Sequence, residues 1–101
     1  MAALRFTASA ENDLVDMWSF LAEENPSAAD RMLDVIYREA NLLLAQPRMG
    51  RSRPELVKGI RCWPTSTPYL IFYYPRDDGI VVARVLHHAR DVFSVHHWPK
   101  R

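Results

Sequence analysis

The chain has one cysteine, three glycines and, in its first 46 residues, only three basic side chains. With Cys62 alone no internal disulfide can form, which excludes the small disulfide-stapled scaffolds and leaves the thiol the role of a small buried hydrophobe. The opening MAALRFTASAENDL holds no sustained apolar stretch. Neither a signal peptide nor a membrane span is therefore expected, and the cytoplasm is the expected location. No internal repeat and no low-complexity run is present, so the solenoid and linker-like classes are excluded as well.

What is present is enough for one core. At 101 residues, 49% of them hydrophobic, the chain reads as a single domain over 1–101 of ordinary globular composition. Its net charge of +1 conceals an asymmetry. Residues 1–46 carry three Arg (Arg5, Arg31, Arg38) against eight acids, a net of −5, whereas residues 47–101 carry ten Lys and Arg against four acids, a net of +6. Such polarity fits two different contact surfaces or a basic face for an anionic partner; it equally fits acidic helices neutralising a basic sheet inside the monomer.

The apolar periodicity predicts the elements. Leu4–Ala8 reads as a short strand, and Ser9 as the N-cap of a first helix. That helix carries its core face on Leu14, Val15, Trp18, Leu21 and Ala22 and ends at Asn25-Pro26. Ser27, with Asp30 three residues on, resembles a capping box. It opens a second helix with the stripe Ala29, Met32, Leu33, Ile36, Ala40, Leu43 and Leu44, closed by Pro47. Val35 and Leu42, seven apart, lie off that stripe; they either widen the core face or form a patch for a partner. The basic segment PRMGRSRPELVK at 47–58 reads as a loop, solvated or phosphate-contacting.

The rest is strand-like. GIRCWPT (59–65) reads as an edge strand because of Pro64. YLIFYY (69–74) is apolar or aromatic at every position, PRDDG (75–79) is a turn, and IVVARVL (80–86) is a second buried strand, which together make a β-hairpin. The fold class is therefore α+β, β-α-α-β-β-β, with a helical hairpin packed on an antiparallel sheet. A sheet covered by helices on one side does not explain why YLIFYY is apolar on both faces. Either the C-terminal tail closes the second face or something else binds there.

The opening LRFTASA, the helix pair ending LLLAQPRMGR, the strand GIRCW, the tyrosine-rich YLIFYY and RVLHHARD after an acidic turn together resemble the RelE/ParE toxin superfamily of type II toxin–antitoxin systems. The likeness runs over about residues 4–93. The piece YLIFYYPRDDGIVVARVLHHARD is similar to the ParE branch. The resemblance implies a toxin neutralised by a cognate ParD-like antitoxin, with a hetero-oligomer as a possible assembly. ParE toxins are associated with poisoning of DNA gyrase, whereas RelE toxins cut messenger RNA on the ribosome, and one scaffold hosts both. A non-toxic, antitoxin-binding homologue is the third reading.

Set against the RelE pattern, Leu70 stands where that branch has a catalytic arginine. Arg61 is the only cation of GIRCWPT, Arg90 matches the late arginine, and His96 stands where RelE has a tyrosine. The catalytic set is incomplete and no catalytic residue is assigned; a ribonuclease would rely on Arg90, His96 and Arg61. Arg84 interrupts IVVARVL, sharing a face with Val82 and Leu86. It is either an antitoxin anchor alongside Val35 and Leu42 or one half of an ion pair with a helix carboxylate such as Asp16 or Glu39. Arg90, Phe93 and Trp98 are the candidates for target contact, with the tail DVFSVHHWPKR either packed on the sheet or presented outward. Neighbouring histidines on a strand point to opposite faces, so His87-His88 and His96-His97 do not read as metal sites. No cofactor, no membrane contact and no direct sequence-specific nucleic-acid binding is expected.

Overall fold

A computed structural model describes residues 2–100. Strand β1 spans Ala3–Phe6, helix α1 Ala8–Ala22 and helix α2 Pro26–Ala45. Strands β2 (Arg51–Ser52), β3 (Arg61–Pro64), β4 (Tyr69–Arg76) and β5 (Gly79–His87) follow, then a short 3-10 turn at Val92–Ser94. They form one five-stranded sheet in the order β1-β5-β4-β3-β2. The α+β class and the helix-pair-then-strands order hold. The sheet, however, is mixed, because β1 runs parallel to β5 while the other neighbours are antiparallel. The helical hairpin and three strands lie between β1 and β5, far more than the dozen residues or so that a parallel crossover needs. The short β2, inside the segment read as a loop, pairs Arg51 with Cys62 and Ser52 with Arg61. It leaves Pro64 at an open edge, where a missing N–H costs nothing.

Both helix starts lie upstream of the sequence expectation. Thr7, not Ser9, caps α1: its side chain accepts from the Ala10 N–H at 3.1 Å and donates to the Ala83 carbonyl at 2.8 Å. Asn25, not Ser27, caps α2, accepting from the Ala28 N–H at 3.1 Å. Pro26 then occupies the first turn, where its fixed φ suits the helix and its absent donor is not missed. The core face of α1 is likewise rotated from the expected one. Ala10, Leu14 and Met17 are buried with Leu21 packed beside them, whereas Val15 is 60% exposed. Trp18, expected in the core, lies outside and donates its indole N–H to Asp30 at 2.8 Å. The α2 stripe is as expected, with Ala29, Ile36, Ala40 and Leu43 buried and Met32, Leu33 and Leu44 partly so.

The turn between β4 and β5 is tighter than PRDDG suggests, since Arg76 pairs with Gly79 and only Asp77-Asp78 remains as loop. A register shift opposite Phe72/Tyr73 leaves Ala83 as an extra residue in β5. This bulge changes the facing of the strand. Val82 and Val85 both pack under the helices, whereas Ala83 and Leu86 join the other face. Arg84 therefore does not share a face with Val82.

Two apolar layers result. Under the helices lie Ile71, Tyr73, Ile80, Val82 and Val85. On the opposite face Ile60, Cys62, Phe72, Tyr74, Ala83 and Leu86 are covered by Leu56 and Val57 of the loop and by Val92, Val95 and Trp98 of the tail. The cover of the second face is thus internal. Trp98 meets Phe72 edge-on at 5.1 Å between ring centroids, and the Tyr74 hydroxyl donates to the Pro99 carbonyl at 2.8 Å. Tyr73 is fully buried because its hydroxyl is satisfied twice, donating to the Pro47 carbonyl at 2.8 Å and accepting from the Gly50 N–H at 2.9 Å. Burial pushes the Tyr73 phenol up from its ordinary pKa.

Glu39 joins α2 to the β3–β4 connection. Its carboxylate accepts from Trp63 Nε1 at 2.9 Å, the Ser66 N–H at 2.9 Å and the Ser66 hydroxyl at 2.5 Å. Partial burial pushes this carboxyl upward, but the Ser66 and Trp63 donors, with Arg38 nearby, outweigh it and hold it below its ordinary value of 4.5. A depressed folded pKa gives stability that is present above the unfolded value and lost as pH falls through the folded one. Glu39→Gln should therefore lower Tm at neutral pH, and the gap to the parent should narrow on acidification below 4.5, as followed by thermal melts across pH.

Two glycines give a second test. A Cβ on Gly50 would lie 2.6 Å from the Tyr73 hydroxyl, and one on Gly79 (φ +147°) would lie 1.9 Å from the Ala3 carbonyl oxygen. Gly50→Ala should cost about 1–3 kcal/mol by overpacking. Gly79→Ala should cost more, because the obstruction is β1 backbone. Urea midpoints should rank parent, Gly50→Ala, Gly79→Ala.

Candidate functional site

β1 ends at Phe6, opposite Val82, so the rest of β5 lacks a strand partner on that edge and its N–H groups need acceptors. Asp13 of α1 supplies one, accepting from the Val85 N–H at 3.0 Å. The same carboxylate takes Arg84 Nε at 2.8 Å and Nη2 at 2.9 Å, a two-point pairing whose side chains are 12% and 10% exposed respectively. This carboxylate holds the guanidinium pKa above its ordinary value. Arg84 Nη1 donates to the His97 carbonyl at 2.9 Å. Of the two readings of Arg84, the structure contains the helix ion pair, with Asp13 as partner in place of Asp16 or Glu39.

Of the residues proposed for a nuclease, Arg61 and Arg90 lie toward opposite ends of the sheet. Arg61 lies opposite Tyr73 near the turn end of β4, and its Nη1 donates to the Gly50 carbonyl at 2.6 Å and the Arg48 carbonyl at 3.3 Å. Arg90 lies past the far end of the ladder, beyond the Tyr69–His87 pair, and is exposed. His96 is exposed on the tail next to the buried Val95. Leu70 contributes to the apolar layer on the tail-covered face.

The histidine pair after β5 departs from the expected alternation. The strand ends at His87, and the His87 and His88 rings stack at 4.6 Å between centroids, with Tyr69 edge-on to His87 at 5.3 Å. No group of three or more His, Cys, Asp or Glu among the described residues is placed to hold a metal ion. Cys62 is buried, and that burial raises its thiol pKa, consistent with an inert core residue.

An apolar feature is left open on the outer side of the helical hairpin. Glu11, Val15 and Trp18 of α1 and Leu33 and Tyr37 of α2 line a groove of about 400 Å³ floored by Leu14. Val15, Trp18 and Tyr37 are exposed there, and Phe20 is exposed farther along α1. Val35 is half-buried and Leu42 exposed, and neither lines the groove. The sequence reading missed this site because it placed Val15 and Trp18 in the core. The available signal was the alternative helical set Ala10, Leu14, Met17 and Leu21, which leaves Val15 and Trp18 unneeded inside. Of the target-contact candidates, Arg90 is exposed and Phe93 is 70% exposed, whereas Trp98 is half-buried against Phe72.

Comparisons with known proteins place this architecture in a family. The chain matches the family described as ParE toxin of type II toxin-antitoxin system, parDE, over residues 4–92. It belongs to that family. It is 28% identical over 87 residues to Toxin RelE3 of Caulobacter vibrioides, covering 86% of this chain and 95% of that protein. A solved structure, the chromosomal ParDE TA system from P. aeruginosa, superposes with a TM-score of 0.72 at 21% identity, covering 86% of this chain and 96% of that one. The protein is thus a toxin of the ParE/RelE kind, from a type II toxin–antitoxin system.

The Asp13–Arg84 pair should be structural. Asp13→Ala leaves a mostly buried cation without its partner and the Val85 N–H without an acceptor, and should cost about 3–5 kcal/mol. Asp16→Ala, on an exposed neighbour, should change stability by less than about 0.5 kcal/mol. Chemical denaturation of both variants checks the contrast.

Proposed function

We propose that this toxin inhibits DNA gyrase and is silenced by a ParD-like antitoxin that lays an amphipathic helix in the α1–α2 groove. The observation that carries the antitoxin half is the groove itself. Soluble monomers seldom leave Val15, Trp18 and Tyr37 together in water unless a partner covers them. A helix presenting apolar residues at three- and four-residue spacing is the form that such a groove accepts. A free antitoxin segment of this kind is disordered and folds on docking, and the pair forms a hetero-oligomer in the cytoplasm. No helix among the described residues is long and apolar enough to cross a membrane.

Membership of the ParE family supports gyrase as the target. The dispersal of Arg61, Arg90 and His96 and the apolar setting of Leu70 argue against a ribonuclease. The kinship with a protein named RelE3 is the one observation on the other side. Arg90 and Phe93, exposed beside the end of β5, are the proposed target contacts, with Trp98 holding the tail that presents them.

Gyrase supercoiling, messenger-RNA integrity and antitoxin affinity test this. Purified toxin should block gyrase supercoiling and leave ribosome-engaged messenger RNA intact; RNA cleavage abolished by Arg90→Ala would instead establish the enzyme. Val15→Glu and Tyr37→Glu should each weaken antitoxin binding at least tenfold, about 1.4 kcal/mol or more, with Tm unchanged. Phe93→Ala should weaken gyrase inhibition and leave antitoxin binding intact. Unaltered antitoxin affinity in both groove variants would remove the groove from the interface.

A further inference from the structure

A second surface lies at the turn end of the sheet, away from the helical groove. The loop after α2, the start of β3 and the end of β4 enclose an open cleft of about 810 Å³. Arg48, Arg61 and Arg76 line it, with Asp77 as its one carboxylate. Lys58 is exposed beside the lining Gly59.

Among the described residues none of Arg48, Arg61 and Arg76 is ion-paired. Two nearby acids are occupied elsewhere, Asp78 with Arg5 at 3.7 Å and Glu55 with Arg53 at 2.6 Å, which leaves Asp77 as the one carboxylate on the lining against three cations. Arg61 is oriented by the Gly50 and Arg48 carbonyls through Nη1, and no described hydrogen bond engages its Nε or Nη2. Like charges held together disfavour the free fold, so a cluster of three cations against one carboxylate is suited to an anionic partner.

We propose that this cleft binds the phosphodiester backbone of a nucleic acid without regard to sequence. Guanidinium groups match phosphate oxygens in geometry as well as charge. An acidic peptide is the other anion of suitable size, but it would need apolar anchors of the sort the α1–α2 groove has; here Met49 is the one large exposed hydrophobe on the lining. Backbone contact of this kind positions a protein on nucleic acid and reads no bases. The inference stands apart from the gyrase and antitoxin reading, since it concerns different residues on a different surface.

The test is fluorescence anisotropy of the full-length toxin with a short labelled DNA duplex of arbitrary sequence, and with single-stranded RNA of equal length. If three phosphates are neutralised, duplex affinity should fall on the order of 40-fold between 50 and 200 mM salt. Arg48→Ala and Arg76→Ala, both exposed positions, should each weaken binding several-fold and reduce the salt slope by about 1. Arg31→Ala, exposed near the start of α2, should do neither, and circular dichroism should show all three variants folded. Whichever of duplex or RNA binds more tightly identifies the source of the backbone. The proposal is overturned by no binding at low salt, by equal losses in Arg31→Ala, or by poly-glutamate displacing the probe more effectively than unlabelled nucleic acid.

Discussion

The β4–β5 hairpin is apolar on both of its faces, and everything else in the molecule is arranged to keep water from both. A helix pair is the economical cover for one face. The other is closed by a loop and a tail with little regular structure, which is possible because each contributes a few large side chains at the right places: Leu56 and Val57 from one, Val92, Val95 and Trp98 from the other. The tail owes its position to specific anchors, the Trp98–Phe72 ring contact and the Tyr74–Pro99 hydrogen bond.

The two covers are also tied to each other. Arg84 emerges from the sheet at the bulge and is held by Asp13 of α1, and its remaining arm reaches the backbone of the tail at His97. A buried pair of this sort adds little net stability over a well-packed apolar equivalent, because both charges are taken out of water. Its effect is geometric. The carboxylate also terminates the open edge of β5 through Val85, so one side chain fixes where α1 sits along the strand, and Thr7 does the same at the helix N-cap through the Ala83 carbonyl.

The legible part of this fold was the part governed by periodicity and long apolar runs. The α2 stripe, the β4–β5 hairpin and the need for a second cover all follow from patterns in which many residues agree. The unreadable parts were decided by single tertiary contacts. Thr7 and Ser9 are both good caps in isolation, Ser the better of the two, and the nearby Ala83 carbonyl favours Thr7. The face of α1 was misjudged because Val15 and Trp18 fit a helical stripe as well as Ala10 and Met17 do; a one-residue rotation moved two hydrophobes from core to surface and hid the groove. Arg84 was recognisable as needing a carboxylate, but Asp13 was not recognisable as the donor of it. The bulge at Ala83, invisible in IVVARVL, set which way Arg84 points.

The tail-covered face bears on chemistry as well as stability. Stabilising the charge of a reacting phosphate requires cations gathered where the substrate sits, in a site that admits it. Leu70, Phe72, Tyr74 and Leu86 make that face apolar, and Trp98 closes over it. Arg84, opposite Phe72, has its charge offset by Asp13; a further cation among them would carry a desolvation cost. The central strands are used here for burial, and part of the positive charge of the chain's second half lies at the turn end of the sheet. There Arg48, Arg61 and Arg76 remain hydrated without loss of packing. Burial on both sides of one hairpin therefore determines which surfaces are left open: the outer side of the helices, the exposed start of the tail and the cationic end of the sheet.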